Sequence, residues 1–254
     1  MTRRLGEVAP GVWVATSRRY WTTSTVLLDG RGGAVVVDPA WDPDELEAIP
    51  ADLAELGVRC VAGLATHEHY DHVMWHPELG EVPRWATAGT VAHLSQERER
   101  LLGPLAQYLT PDLIALAGRL DALPGENLPW DGPATRCVVH DAHAPAHLAL
   151  LVEEAGVLVA GDMLGDVELP MPEHDETLEH YAVGLESLRD AVRAARLLIP
   201  GHGTPTTDPI ARFDADRRYL DDLLAGRVSG DPRIDDPENA GLHEQNLAKA
   251  RLTR

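Results

Sequence analysis

A chain of 254 residues, 44% hydrophobic and 25% charged, can bury a sizeable core as one large domain or two small ones. Its formal net charge of −19 disfavours a phosphate backbone as a partner, and the basic residues cluster no further than isolated pairs such as Arg3-Arg4, Arg18-Arg19 and Arg217-Arg218. No stretch approaches the ~20 apolar residues of a membrane span and no apolar run follows Arg3-Arg4, so the expectation is a cytoplasmic protein with neither membrane nor nucleic-acid partners.

The first strands read as 12–16, 24–28 and 34–37, with Asp29-Gly30-Arg31-Gly32-Gly33 as the hairpin turn between the last two. Pro43 opens a helix, with Asp42 as N-cap and Asp44 and Glu45 in its first turn; it runs to Gly57 with a break expected at Pro50. A buried strand from Cys60 follows and ends in Thr66-His67-Glu68-His69-Tyr70-Asp71-His72. Side chains still alternate at a strand end, so His67 and His69 can face one point. Asp71 and His72, on the following turn, can face a second point nearby. Imidazole and carboxylate suit Zn(II), and also Fe or Mn, so this stretch suggests two metal positions.

Residues 73–133 are less regular, with a weak strand at 84–87, a helix at 90–100 and two helical turns split at Thr110-Pro111-Asp112. Leu105, Tyr108, Leu109, Leu113, Leu116 and Leu120 have helical spacing and read as a packed satellite, or else as a cap that selects the substrate. A second strand-rich set starts near Thr135, with strands at 135–139, 148–152 and 157–160. One amphipathic helix is expected over 177–196, then a strand at 197–199 and a helix over 209–224. The tail 229–254 is polar, with a short final helix around 244–251. Cys60 and Cys137, both in apolar runs, read as buried free thiols.

His143, Asp162 and His202 each fall just beyond an apolar strand, beside small or turn-forming residues, where a rigid sheet presents side chains to a shared cleft. With His67, His69, Asp71 and His72 they make seven candidate ligands on four strand ends. His140 and His147 flank His143, and either could take its place.

These motifs resemble the metallo-β-lactamase-fold hydrolases. Thr66 to His72 matches the signature of that superfamily, Ala142-His143-Ala144-Pro145-Ala146-His147 resembles its Gly-His-Thr-Pro-Gly segment, and Gly161-Asp162 and Pro200-Gly201-His202-Gly203 resemble the last two motifs. The resemblance covers about residues 10–225. It implies an α/β (α+β type) fold, a four-layer αβ/βα sandwich, in a single domain with a helical insertion about 90–120 and a tail about 229–254. By position, His67, His69 and His143 resemble ligands of a first ion, and Asp71, His72 and His202 those of a second. Asp162 resembles the carboxylate bridging both, which makes Asp71 and Asp162 the carboxylates with a catalytic role. The implied activity is hydrolysis of a small ester, thioester, lactone or related molecule by two divalent ions, zinc first, with Fe or Mn accepted by the same ligands. A mononuclear iron persulfide-dioxygenase-like enzyme is the alternative chemistry, and a scaffold that keeps the fold without the reaction is the non-enzymatic one. Oligomeric state is left open.

Around the ligands, Asp38 and Thr66 read as supports for the metal loop, and Glu68 as pointing away from it. Tyr70, Trp75, His76 and His174 are possible cleft residues, whereas His93, His180 and His243 read as surface positions.

Overall fold

Val35 and Val37 face one way along their strand, Ala34 and Val36 the other, and all four are fully buried, so this strand needs apolar cover on both faces. The computed structural model, which describes residues 3–173 and 176–252, supplies that cover as four layers. The first sheet holds β1 (Gly6–Ala9), β2 (Val12–Thr16), β3 (Thr23–Leu28), β4 (Gly33–Val37), β5 (Arg59–Leu64), β6 (Arg84–Ala86) and β7 (Asp121–Ala122), side by side in that order. It is antiparallel from β1 to β4 and parallel from β4 to β7. The second sheet runs β11 (Leu197–Ile199), β10 (Val157–Val159), β9 (His147–Val152) and β8 (Thr135–His140).

Between the sheets, Val35, Val37, Ala62 and Leu64 meet Leu148, Leu150, Val159 and Ile199. The outer face of the first sheet is covered by α1 (Pro43–Glu55), α2 (Ala88–Leu102) and α3 (Pro111–Leu116), through Leu46, Ile49, Leu94, Leu102 and Leu113. Leu105 and Leu109 join the same cluster while Tyr108 is exposed, so the leucine-spaced stretch packs against the core. The outer face of the second sheet is covered by α4 (Leu178–Ser187), α5 (Arg189–Ala194), α6 (Pro209–Leu224) and α7 (Ala240–Leu252), through Tyr181, Leu185, Phe213, Leu220 and Ala250.

Several elements differ from the sequence reading. Helix α1 is continuous through Pro50, because Leu46, Ile49 and Leu53 bury a full stripe against the sheet, outweighing the backbone hydrogen bond that proline removes. The expected helix 177–196 is two helices that meet at Leu188, whose N–H donates to Leu185 three residues back instead of four. β1 and β7 were not expected; their residues are mostly exposed and carry no apolar alternation. The last helix starts at Ala240, and a tight turn at Pro232–Asp235 precedes it. Among the described residues no helix is long and apolar enough to cross a membrane.

The sheets are stitched at one edge. The N–H of Leu148 donates to Thr66 O (2.8 Å) and that of Thr23 to Gly201 O (2.7 Å), while within the second sheet the N–H of Gly201 extends the β10–β11 pairing onto Gly161 O (2.5 Å). Leu150 lies fully buried in the plane between the sheets, so Leu150→Ala is expected to cost about 2–5 kcal/mol in urea unfolding.

Candidate metal centre

Four of the five candidate histidine ligands, His67, His72, His143 and His202, face a partner on the outer side. Asp38, just past β4, accepts the N–H of Thr66 (2.8 Å) and its hydroxyl (2.7 Å). That hydroxyl, its proton committed to Asp38, can only accept from His67 Nδ1 at 3.0 Å, which leaves His67 Nε2 free of a proton. The Nδ1 of His72 lies 3.0 Å from Asp38 Oδ2. His143 Nδ1 donates to Met171 O (3.2 Å) and His202 Nδ1 to Tyr20 O (2.6 Å), so both present Nε2 inward. Asp71 accepts the hydroxyl of Thr22 at 3.0 Å.

Tyr20, Trp21, Asp38, His143, Ala146 and Leu164 are the described non-glycine residues with left-handed backbone, and all six lie on loops at this edge. Such conformations cost about 1–3 kcal/mol each and persist where surrounding contacts fix them. Two glycines make room at this edge, Gly201 for Asp162 and Gly161 for His147. A Cβ on Gly201 would lie 2.0 Å from Asp162 Oδ1, and one on Gly161, itself left-handed, 2.4 Å from the His147 ring.

The result is a carboxylate set among imidazoles. Asp162 Oδ2 lies 3.1 Å from His202 Nε2, 3.2 Å from His143 Nε2 and 3.4 Å from His67 Nε2, while Oδ1 is 3.1 Å from His72 Nε2. His69 turns Nδ1 toward His143 Nε2 at 3.1 Å. Asp71 Oδ2 is 3.4 Å from His202 Nε2 and 3.6 Å from His72 Nε2. Two donor groups result, His67, His69, His143 and Asp162 in one and Asp71, His72 and His202 in the other, with ligand atoms in each within 4.8 Å of one another. All seven residues singled out by the sequence are therefore together.

His140 and His147 belong to neither group. The His147 ring stacks on His67 (4.9 Å between centroids) and on His140 (4.7 Å), and its Nε2 accepts the N–H of Asp162 at 3.1 Å.

The donor set fits divalent cations. Buried His67 Nε2, His72 Nε2 and Asp162 Oδ1 have no hydrogen-bond partner although they approach one another closely, the arrangement expected of atoms gathered around cations. Burial holds His67 well below its ordinary pKa, with His72 adding to the effect, and burial with His143 lowers His69 to about 3. Burial pulls the same way at His72 and His202, but there Asp162 and Asp71 prevail: His72 is raised well above its ordinary value and His202 to about 10. Asp162, despite burial, is held well below the usual carboxylate range by His202, His72 and His67.

Other candidates fall outside the cluster. Glu68 is buried and points to α2, where its Oε1 meets His93 Nδ1 at 2.9 Å, so His93 is a buttress rather than a free surface residue. Trp75 is core, beneath Arg84 and against Gly63; His76 caps a short turn; Tyr70 packs edge-on to Trp41. His174 lies outside the described residues. His180 is exposed beside Glu176, and His243 meets the Tyr219 hydroxyl at 3.0 Å. Cys60 and Cys137 are free and partly buried, and burial pushes their thiols up to about 12 and about 11. Sequence reasoning missed Thr22 and Glu168, whose carboxyl, raised by burial, lies 3.9 Å from His202 Nδ1. Neither sits at a position with a strand-end signal.

The family model of the metallo-beta-lactamase superfamily matches residues 18–219. The chain belongs to that superfamily. Among curated proteins of the metallo-beta-lactamase superfamily's sequence neighbourhood, a hydroxyacylglutathione hydrolase of a Synechococcus strain is 32% identical over 132 residues, covering 52% of this chain and 44% of that protein. The chain thus spans less than half the length of that cyanobacterial relative. A hydroxyacylglutathione hydrolase of Haemophilus influenzae is 25% identical over 195 residues, covering 72% of this chain and 86% of that one. Among solved structures, a metallo-beta-lactamase from Pontibacter korlensis superposes with a TM-score of 0.65 at 14% identity, over 84% of this chain and 97% of that chain, a likeness of fold alone.

Two outcomes check this geometry. With His72 and His202 raised and therefore protonated at pH 7, divalent-metal binding should release about two protons per chain, measured by titration calorimetry in buffers of different ionisation enthalpy. Asp38→Asn keeps a residue that tolerates left-handed backbone but removes the charge that accepts from Thr66 and faces His72 Nδ1 at 3.0 Å; metal affinity should fall about 10–100-fold in a chelator competition.

Proposed function

We propose that the chain is a dinuclear metal-dependent hydrolase of a small ester, thioester or lactone, with thioesters first. The observation that carries this reading is the Asp162 carboxylate, set within 3.4 Å of four imidazole nitrogens that belong to two donor groups. Thioesters come first because the relatives named above are called hydroxyacylglutathione hydrolases. Zinc is the proposed ion, since nitrogen and carboxylate donors without thiolate suit it, with iron or manganese accepted by the same set.

Divalent ions held there would supply Lewis acidity and an activated water at neutral pH. The chain's own residues do the rest. Asp162 stays ionised, and His72 and His202 would have to give up their protons to serve as neutral ligands. Asp71 is kept in place by Thr22. Tyr20 and Trp21, 53% and 54% exposed, stand on the loop that holds His202, with Tyr20 stacked on Trp41, and offer an apolar wall to the acyl group.

The competing reading, a mononuclear iron enzyme that oxidises persulfides, has no need of the second donor group. Here Asp71, His72 and His202 are all present and buried, which favours two ions. Metal analysis combined with a panel of esters, thioesters, lactones and cephalosporins separates the two. The expected result is two ions per chain, turnover lost on chelation, and a drop of at least about 10²-fold, or ~2.7 kcal/mol, for Asp162→Asn. One iron per chain with oxygen uptake on a persulfide would overturn the hydrolase reading.

A further inference from the structure

The segment 229–252 lies beyond residues 18–219, the stretch matched to the superfamily, yet it reaches the candidate metal centre through a single loop. That loop, 163–173, follows Asp162 and has no regular secondary structure, so its main-chain groups need partners from elsewhere. The C-terminal segment supplies them. Arg233 Nη1 donates to Gly165 O (2.9 Å) and Glu168 O (2.7 Å). Asn239 donates to Val167 O (2.8 Å) and accepts the N–H of Leu169 (3.3 Å), the pairing a neighbouring strand would otherwise provide. Asn246 donates to Pro170 O (2.7 Å), and Lys249 to Glu173 O (2.6 Å).

These donors are themselves fixed. Arg233 is gripped by Asp216 (2.8 Å) and Asp231 (2.7 Å), and Asn246 also meets the Tyr219 hydroxyl at 3.1 Å. Had apolar packing alone placed α7, its leucines would be the buried residues; the fully buried ones are Asn246 and Ala250. The held loop matters because Met171 O, between the carbonyls of Pro170 and Glu173, accepts the Nδ1–H of His143 at 3.2 Å.

We propose that residues 229–252 form a strap whose Arg233, Asn239, Asn246 and Lys249 hold loop 163–173 in register, so that Met171 O fixes the ring and tautomer of His143. The four are positioning residues and touch no substrate. The proposal rests on the metal-centre reading only for its metal readout; the order of the loop is read separately, in metal-free protein.

The test uses the full chain with Asn246→Leu and, at a less buried position, Lys249→Met. Hydrogen exchange read by mass spectrometry should show residues 163–173 exchanging at least about 10-fold faster in both variants, while β4, β5 and β9 keep wild-type protection. Zinc titration should show one of two binding steps weakened about 10-fold and the other unchanged. Lys249→Arg, which keeps a donor, should restore both readouts. Wild-type exchange in 163–173, or acceleration spread evenly over the strands in both variants, overturns the strap. Faster loop exchange with an unaltered zinc titration overturns the link from Met171 to His143.

Discussion

The buried carboxylate of Asp162 is the group around which the rest of the molecule is arranged. A carboxylate without water is tolerated only beside positive charge or proton donors, and here it is ringed by His67, His72, His143 and His202. Reaching that arrangement requires a missing side chain at Gly201 beside Asp162 and at Gly161 beside His147, and left-handed backbone at Asp38 and His143. Local backbone cost is thus concentrated at one edge, while the three apolar layers beneath it, built from strands buried on both faces, hold that edge rigid.

Much of this was legible because it depends on short-range pattern. His67, His69, Asp71 and His72 follow an apolar strand directly, and Asp162 and His202 are flanked by glycines at strand ends, so residue type and position agree. The four layers follow from strands such as β4 and β9, which are buried at every position and, His147 apart, carry no polar side chain to face water on either side. Tertiary context decided the remainder. Pro50 sits inside a helix because packing on the sheet outweighs one lost bond, and β7 is a strand only because β6 offers it an edge.

The family resemblance picked His143 over His140 and His147, and the fold supplies the physical reason. The left-handed turn at His143 swings its ring into the cluster, whereas His140 and His147 face each other across the β8–β9 ladder and stack. Backbone carbonyls such as Tyr20 O and Met171 O leave no mark on a sequence, although each sets the tautomer of a histidine. Glu68 and His93 illustrate the same limit: a charged residue and a helical histidine that each look solvent-facing find one another across twenty-five positions.

Both donor groups draw on both sheets. His67, His69, Asp71 and His72 leave the first, while His143, Asp162 and His202 leave the second. The plane between the sheets is filled mainly by apolar side chains, with main-chain and hydroxyl hydrogen bonds joining the two halves at the edge. Any cation seated in either group acts as a rivet across that plane, binding the assembled layers and not the parted ones. Resistance to unfolding would thereby rise with cation supply, so that occupancy of the site and persistence of the fold would vary together.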